Sequence, residues 1–261
     1  MFRIKNIFPL FLLLFVLTNF TFGGGLYWET KTSGGPLGPE GKITKVYYMP
    51  KMFKNLDVEK NEAAVFRLDK KLFITIDYDE KTYSEITFDE MDTLMAKASG
   101  QMQDKMADLQ KKMETMPEAQ RKMMEKMLGD KMPGLSKEKN VEVIETEEKQ
   151  NISGYDCVKF QVKMDDKDFM AIWTTKQIRS MDKMTEDMKE FAIKRAQAMP
   201  FNGSEMVKAF QKIKGFPMLT ELMGISSTVT TVVNKNTPET DFEVPEGYKK
   251  VESPLLKMKH K

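Results

Sequence analysis

Apolar and polar residues alternate with a period of two along much of this chain, and the alternation is broken twice by a period near 3.6. The first alternating region starts after Gly25. Residues 26–30 (Leu-Tyr-Trp-Glu-Thr) predict a strand that ends in the turn-rich segment 33–41, with Gly34, Gly35 and Pro36. Residues 43–52 predict a second strand carrying Tyr47 and Tyr48, and 63–68 a third. Segments 71–77 and 82–86 follow, separated by Asp77, Asp79 and Lys81 at a turn. Short runs at close spacing with turn residues between them predict an antiparallel meander.

The period then changes. Met91, Leu94, Met95, Ala98, Met102, Met106, Leu109, Met113 and Met116 recur in steps of three and four, which marks one face of an α-helix. Pro117 suits the first position of a second helix, whose stripe continues through Met123, Met124, Met127 and Leu128. Gly129 and the Pro133-Gly134 pair are expected to stop it. The prediction is a Met-rich helical hairpin over 87–130, inserted into a β protein. Met91 through Met132 supply ten of the chain's 23 methionines. Such a soft stripe suits a lid over an apolar cavity, a thioether site for a soft metal, or ordinary core.

Alternation resumes at 141–145 and again at 155–164, where Val158, Phe160, Val162 and Met164 share a face opposite Lys159, Gln161 and Lys163. Segment 169–173 is apolar on both faces, so it requires cover on both sides. A second helical segment spans 177–214, with Ile178, Met181, Met184, Met188 and Phe191 on one face. Pro200 and Asn202-Gly203 interrupt it, and Ser204 is placed to cap a short helix. Strands return at 217–223 and 226–234, and the pattern closes at 241–248.

The ends read differently from the middle. Arg3 and Lys5 precede an apolar run over 7–17, and glycines follow at 23–25, so residues 1–24 are expected to be a signal peptide. A run of about 11 residues falls short of the roughly 20 needed to span a bilayer. Residues 25–250 then form a single domain, and 251–261 a basic tail whose membrane contact is at most peripheral. The expected location is periplasmic or secreted.

Composition narrows the chemistry. The 41 basic and 39 acidic side chains leave a net charge of +2 and give no reason to expect a nucleic-acid partner. The single histidine, His260, lies in the Lys-rich tail, and the single cysteine, Cys157, has no second thiol to pair with. Ser-His-Asp and Cys-His catalysis need a positioned imidazole, so a non-enzymatic role without a cofactor is expected. The soft-metal alternative is copper held by Met102, Met106, Met123 and Met127, whose i,i+4 pairs helical core packing would equally produce. Cys157 is read as a free thiol.

Several segments together resemble a known family of exported bacterial proteins, the domain of unknown function 4412 family. They are Arg67-Leu68-Asp69, Lys81-Thr82-Tyr83, Gly154-Tyr155-Asp156-Cys157 with Lys159-Phe160, Ile172-Trp173-Thr174, Gly215-Phe216-Pro217-Met218, and the run of seven from Phe242 to Tyr248. That family is similar in shape to the periplasmic lipoprotein-carrier proteins LolA and LolB. The resemblance implies an α+β fold: a LolA-like incomplete antiparallel β-barrel, a curved sheet of roughly ten strands, with helices covering its concave face. It also implies an apolar cavity between sheet and helices. Met91, Leu94, Met95, Met102, Met106 and Met113 on the hairpin, with Phe160, Val162 and Trp173 on the sheet, are the expected wall for a lipid or other apolar ligand. The contrasting expectations are a soft-metal protein and a structural module that docks a partner through the hairpin.

Overall fold

A computed structural model describes residues 24–131, 140–198, 203–253 and 256. The first meander contains β1 (Leu26–Gly34), β2 (Lys42–Met49), β3 (Met52–Asp57), β4 (Glu62–Arg67), β5 (Leu72–Asp77) and β6 (Thr82–Thr87). The hairpin helices α1 (Phe88–Glu114) and α2 (Glu118–Lys131) follow. The second meander contains β7 (Val141–Ile152), β8 (Tyr155–Met164), β9 (Lys167–Thr175), β10 (Phe216–Leu222) and β11 (Ile225–Asn234). Helices α3 (Ser180–Ala198) and α4 (Gly203–Phe210) are inserted between β9 and β10. A two-residue strand, β12 (Lys249–Lys250), ends the series.

These strands form one open sheet of twelve, in the order β12-β6-β5-β4-β3-β2-β1-β11-β10-β9-β8-β7. All pairs are antiparallel except β12 with β6, so the sheet is mixed. The two meanders join where β1 pairs with β11, in register from Leu26–Asn234 to Gly34–Ile225 across a bulge at Glu29/Thr30. Bulges also interrupt β7–β8, β8–β9 and β9–β10, and each bends and twists its strand locally.

Turn chemistry explains the strand count, which exceeds the expected ten. The predicted strand over 43–52 is two strands, because Pro50 and Lys51 form a tight turn between Met49 and Met52, with Lys51 at φ 63°. Proline presets the first central position of such a turn, and the second takes the left-handed conformation. The β8–β9 hairpin turns through Asp165 and Asp166, at φ 50° and 63°, where short polar side chains tolerate that region. The closing segment 241–248, expected as strand, is a short 3-10 turn (Glu239–Phe242) followed by extended chain.

Strand alternation puts the first meander between two covers. On β4, Phe66 packs against a core made by Leu26, Tyr48, Phe53, Phe216, Met218 and Val229 with Ile178 and Met184. Its neighbours Ala63 and Val65 point the other way, into a second core with Ile74, Ile76 and Phe242. Helix α3 and the residues leading into it therefore cover one face. The C-terminal segment crosses the other as a strap.

Two charged residues fasten these covers. The Arg67 side chain, 1% exposed, donates from Nε and Nη2 to both oxygens of Asp69, at 3.0 and 2.7 Å. It also reaches Glu239 at 2.6 Å and Glu243 at 3.3 Å on the strap. Opposite, Asp187 of α3 accepts from the Tyr48 hydroxyl at 2.9 Å and the Lys51 backbone N–H at 2.8 Å, and pairs with Lys183 at 2.9 Å. Burial pushes the Asp187 carboxyl up, but the donors from Lys183, Lys51 and Tyr48 together outweigh it and hold the pKa below the usual value.

A carboxylate with a depressed folded-state pKa contributes stability that is complete above its unfolded value and lost as pH falls through the folded one. Asp187→Ala is expected to destabilise the protein by about 2 kcal/mol near neutrality, since it also strands the buried Tyr48 hydroxyl. Asp187→Asn keeps an acceptor and costs about half as much, and it flattens the acid limb of the stability profile. Urea titrations from pH 7 down to pH 3 read both effects. An acid limb unchanged in Asp187→Asn contradicts the assignment.

Candidate functional site

Local sequence starts α1 sharply. The Thr87 hydroxyl accepts from the Glu90 N–H at 3.2 Å, while Glu90 Oε2 accepts from the Thr87 N–H at 2.7 Å. This reciprocal capping box satisfies two orphan donors of the first turn. The spacing of Thr87 and Glu90 carries that signal in the sequence, although the apolar stripe by itself is enough to place the helix.

One turn in, α1 is clamped to α3. Phe88 and Phe191 lie with ring centroids 4.8 Å apart, and Phe191 also meets Phe66 edge-on at 5.7 Å. The Arg195 guanidinium sits over both Phe191 and Phe88, at 4.3 and 5.2 Å from the ring centroids. Arg195 Nη1 donates to Asp92 Oδ1, and the Lys194 ammonium lies 2.7 Å from Asp92 Oδ2. Arg195 is buried, yet its Nε and Nη2 have no partner among the described residues. The seam is thus held by the Phe88–Phe191 contact, the Arg195 guanidinium over both rings, and the pairing of Asp92 with Arg195 and Lys194, with two Arg195 donors left over.

Beyond the clamp, the Met stripe is not core. Among the described residues neither core contains a side chain of α1 or α2, whose main neighbours are β6, α3 and each other. Met91, Leu94, Met95 and Met113 are half-buried, Met102 is 36% exposed and Met123 is 73% exposed. The side chains of Met106 and Met127 lie outside the described residues, as does the expected stop at Pro133-Gly134. α2 runs through Gly129 to Lys131. The expectation that the hairpin lies over 169–173 is corrected: Trp173 belongs to the core that contains Ile178 and Met184, so the cover on that side is α3. The physical reason is that α3 sets Met181, Met184 and Met188 against the sheet core, while the main sheet neighbour of α1 is β6.

The sheet residues expected beside the stripe do not share one surface. Phe160 pairs across β8–β9 with Ile172, and Lys159 pairs with Trp173, so Phe160 and Trp173 alternate to opposite faces. Phe160 and Val162 are fully buried, and the two-sided cover expected for 169–173 is met at Ile172 and Trp173, while residues 169–171 are half-buried. Cys157 is a free, buried thiol whose pKa burial pushes up, so it is poor as a nucleophile. Among the described residues no cluster of three His, Cys, Asp or Glu side chains is placed to hold a metal ion. None of the described helices is long and apolar enough to cross a membrane.

These features make an α+β protein built on one open sheet, with a Met-rich helical hairpin inserted between two meanders. The chain belongs to the family of the domain of unknown function DUF4412, whose pattern matches residues 88–248. The match begins at α1 and ends at Tyr248 on the strap, so Arg67-Leu68-Asp69 and Lys81-Thr82-Tyr83 lie outside it. No curated protein matches the chain. Among solved structures, an uncharacterized conserved protein from Thermus thermophilus is similar at TM-score 0.44 and 8% identity, over 88% of this chain and 91% of that one. PNGF-II is similar at TM-score 0.39 and 9% identity over 90% of this chain, which spans 32% of that protein.

Proposed function

We propose that this protein is a non-enzymatic exported binding protein of the LolA-like kind, which takes the acyl chain of a lipid against the Met stripe of α1. The observation that carries this reading is that the described residues of the stripe are spent on neither core. A helix of 27 residues presents half-buried and exposed methionines, and its firmest attachment is at the first two turns. Unbranched thioether side chains adapt to irregular apolar shapes at little cost, which suits a ligand without fixed geometry. The clamp formed by Asp92, Arg195, Phe88 and Phe191 leaves two buried Arg195 donors without a partner among the described residues, a cost that favours local opening there. The charge and apolar pattern of residues 1–24, read as an export segment, supports a location where lipids are handled.

Native mass spectrometry of the exported protein is expected to find a co-purifying lipid. In titrations with the apolar probe 1-anilinonaphthalene-8-sulfonate, the Met102→Glu/Met123→Glu double variant is expected to bind at least fivefold more weakly. Both positions are exposed, so its melting temperature should match that of the parent. Lipid-free protein together with identical probe binding by the variant overturns the proposal.

A further inference from the structure

The α3 side of the first meander is aromatic at one end and polar at the other. Tyr48, Phe53, Phe66 and Phe73 form one row across β2 to β5 beneath the helices. Two residues further along β3 to β5, Asn55, Ala64 and Thr75 form the next row on that face, which Ser84 continues onto β6. Small side chains there leave a cavity of about 440 Å³ that α3 does not fill. Ligand pockets start at roughly 300 Å³, so the volume suits a small molecule.

The lining mixes hydrogen-bonding side chains with apolar surface from Ala64, Ile76, Tyr83 and Val251. At the floor, the Thr75 and Ser84 hydroxyls bond each other at 2.7 Å, and Ser84 is buried. The Asn55 amide has no protein partner among the described residues, so it keeps both donor and acceptor capacity. At the rim a third row places Asp57, Glu62 and Asp77 directly opposite one another on β3, β4 and β5. Two of these have folding duties. Asp57 accepts from the Glu59 and Lys60 N–H groups, and Asp77 from those of Asp79 and Glu80, so each holds a hairpin turn. Lys42 pairs with Asp57 at 3.4 Å. Glu62 has no partner among the described residues, and a carboxylate between two others destabilises a sheet. Folding does not account for it.

We propose that this bowl binds a small hydroxyl-rich ligand of hexose size, with a protonated amine preferred over a neutral ring and an anionic ring refused. Hydroxyls of such a ligand donate to the rim carboxylates and accept from Lys42 and the Asn55 amide, while its C–H surface lies on Ala64. The ammonium pairs with Glu62. An acyl chain is excluded, because it would desolvate these groups without replacing their hydrogen bonds. The bowl is therefore separate from the Met stripe and does not depend on the reading given for it.

Titrations of the full protein at pH 6, followed by amide chemical shifts, use glucosamine, glucose and glucuronate as probes. Saturable shifts at Thr75 and Ser84 are expected with glucosamine, weaker ones with glucose and none with glucuronate. Glu62→Gln, at an exposed position, should weaken glucosamine at least threefold and leave glucose unchanged. Ala64→Phe should abolish both, with thermal melting to confirm that each variant is folded. The proposal is overturned if no sugar gives saturable shifts, if glucuronate binds as well as glucosamine, or if the shifts map away from the bowl.

Discussion

Phe242→Ala is expected to destabilise the protein by about 3–5 kcal/mol, the range for removing a fully buried phenyl ring. Phe242 is 0% exposed and sits among Ala63, Val65, Ile74 and Ile76 on the strap side of the first meander. The four sheet residues are short or β-branched, and their rotamers have little freedom to close the gap. Val244 and Tyr248 pack at the margin of the same core, so loss of the ring should loosen the strap as a unit. Hydrogen exchange should then rise at Lys249 and Val251, whose N–H groups bond the carbonyls of Lys81 and Tyr83. Equilibrium urea denaturation gives the stability change. A loss below about 1 kcal/mol would show that the strap contributes little.

Arg67→Ala is expected to cost about 3 kcal/mol. The guanidinium is 1% exposed, whereas its partners Asp69, Glu239 and Glu243 are 34%, 60% and 45% exposed. Hydrogen bonds to charged groups contribute roughly 1.5–3 kcal/mol each in favourable cases, but the released carboxylates regain water, so the sum is far from additive. Arg67→Met separates the two contributions. It restores aliphatic packing and lacks the charge, so it should recover about half of the loss while still freeing the strap. Arg67→Ala with Phe242→Ala should destabilise less than the two single changes added together, because either change alone already detaches the strap. A fully additive cycle, read from urea midpoints at constant slope, sinks the idea that the two residues act through one element.

Much of the architecture was open to reading because strand and helix periods differ so clearly here. The alternation at Val158, Phe160, Val162 and Met164 and the steps of three and four from Met91 to Met116 each point to one element type. The split at Pro50-Lys51 was harder, since apolar residues continue on both sides of it. The meaning of the Met stripe was harder still. A stripe records that one face is apolar, but not which surface meets it, so a core-facing helix and a projecting one give the same pattern. Phe160 and Trp173 illustrate the same gap across strands. Each is an apolar residue on a buried strand, and the register alone sends them to opposite faces.

Asp187 and Glu62 had no distinguishing signal in a chain with 41 basic and 39 acidic side chains, and Arg67 stood out only within Arg67-Leu68-Asp69, which does not reveal its partners on the strap. Their roles arise from contacts between segments more than a hundred residues apart, or from the rung on which a strand places them. The β-helix-β-helix-β order, the Met-rich hairpin and the lone cysteine were legible from the residues alone, because periodicity and composition are local properties. Three outcomes needed the folded chain: α3 and the C-terminal strap cover the sheet, the described methionines of the hairpin stay out of both cores, and a polar bowl remains open. Those outcomes depend on strand pairing order and on competition between covers for the same faces, which no stretch of residues encodes alone.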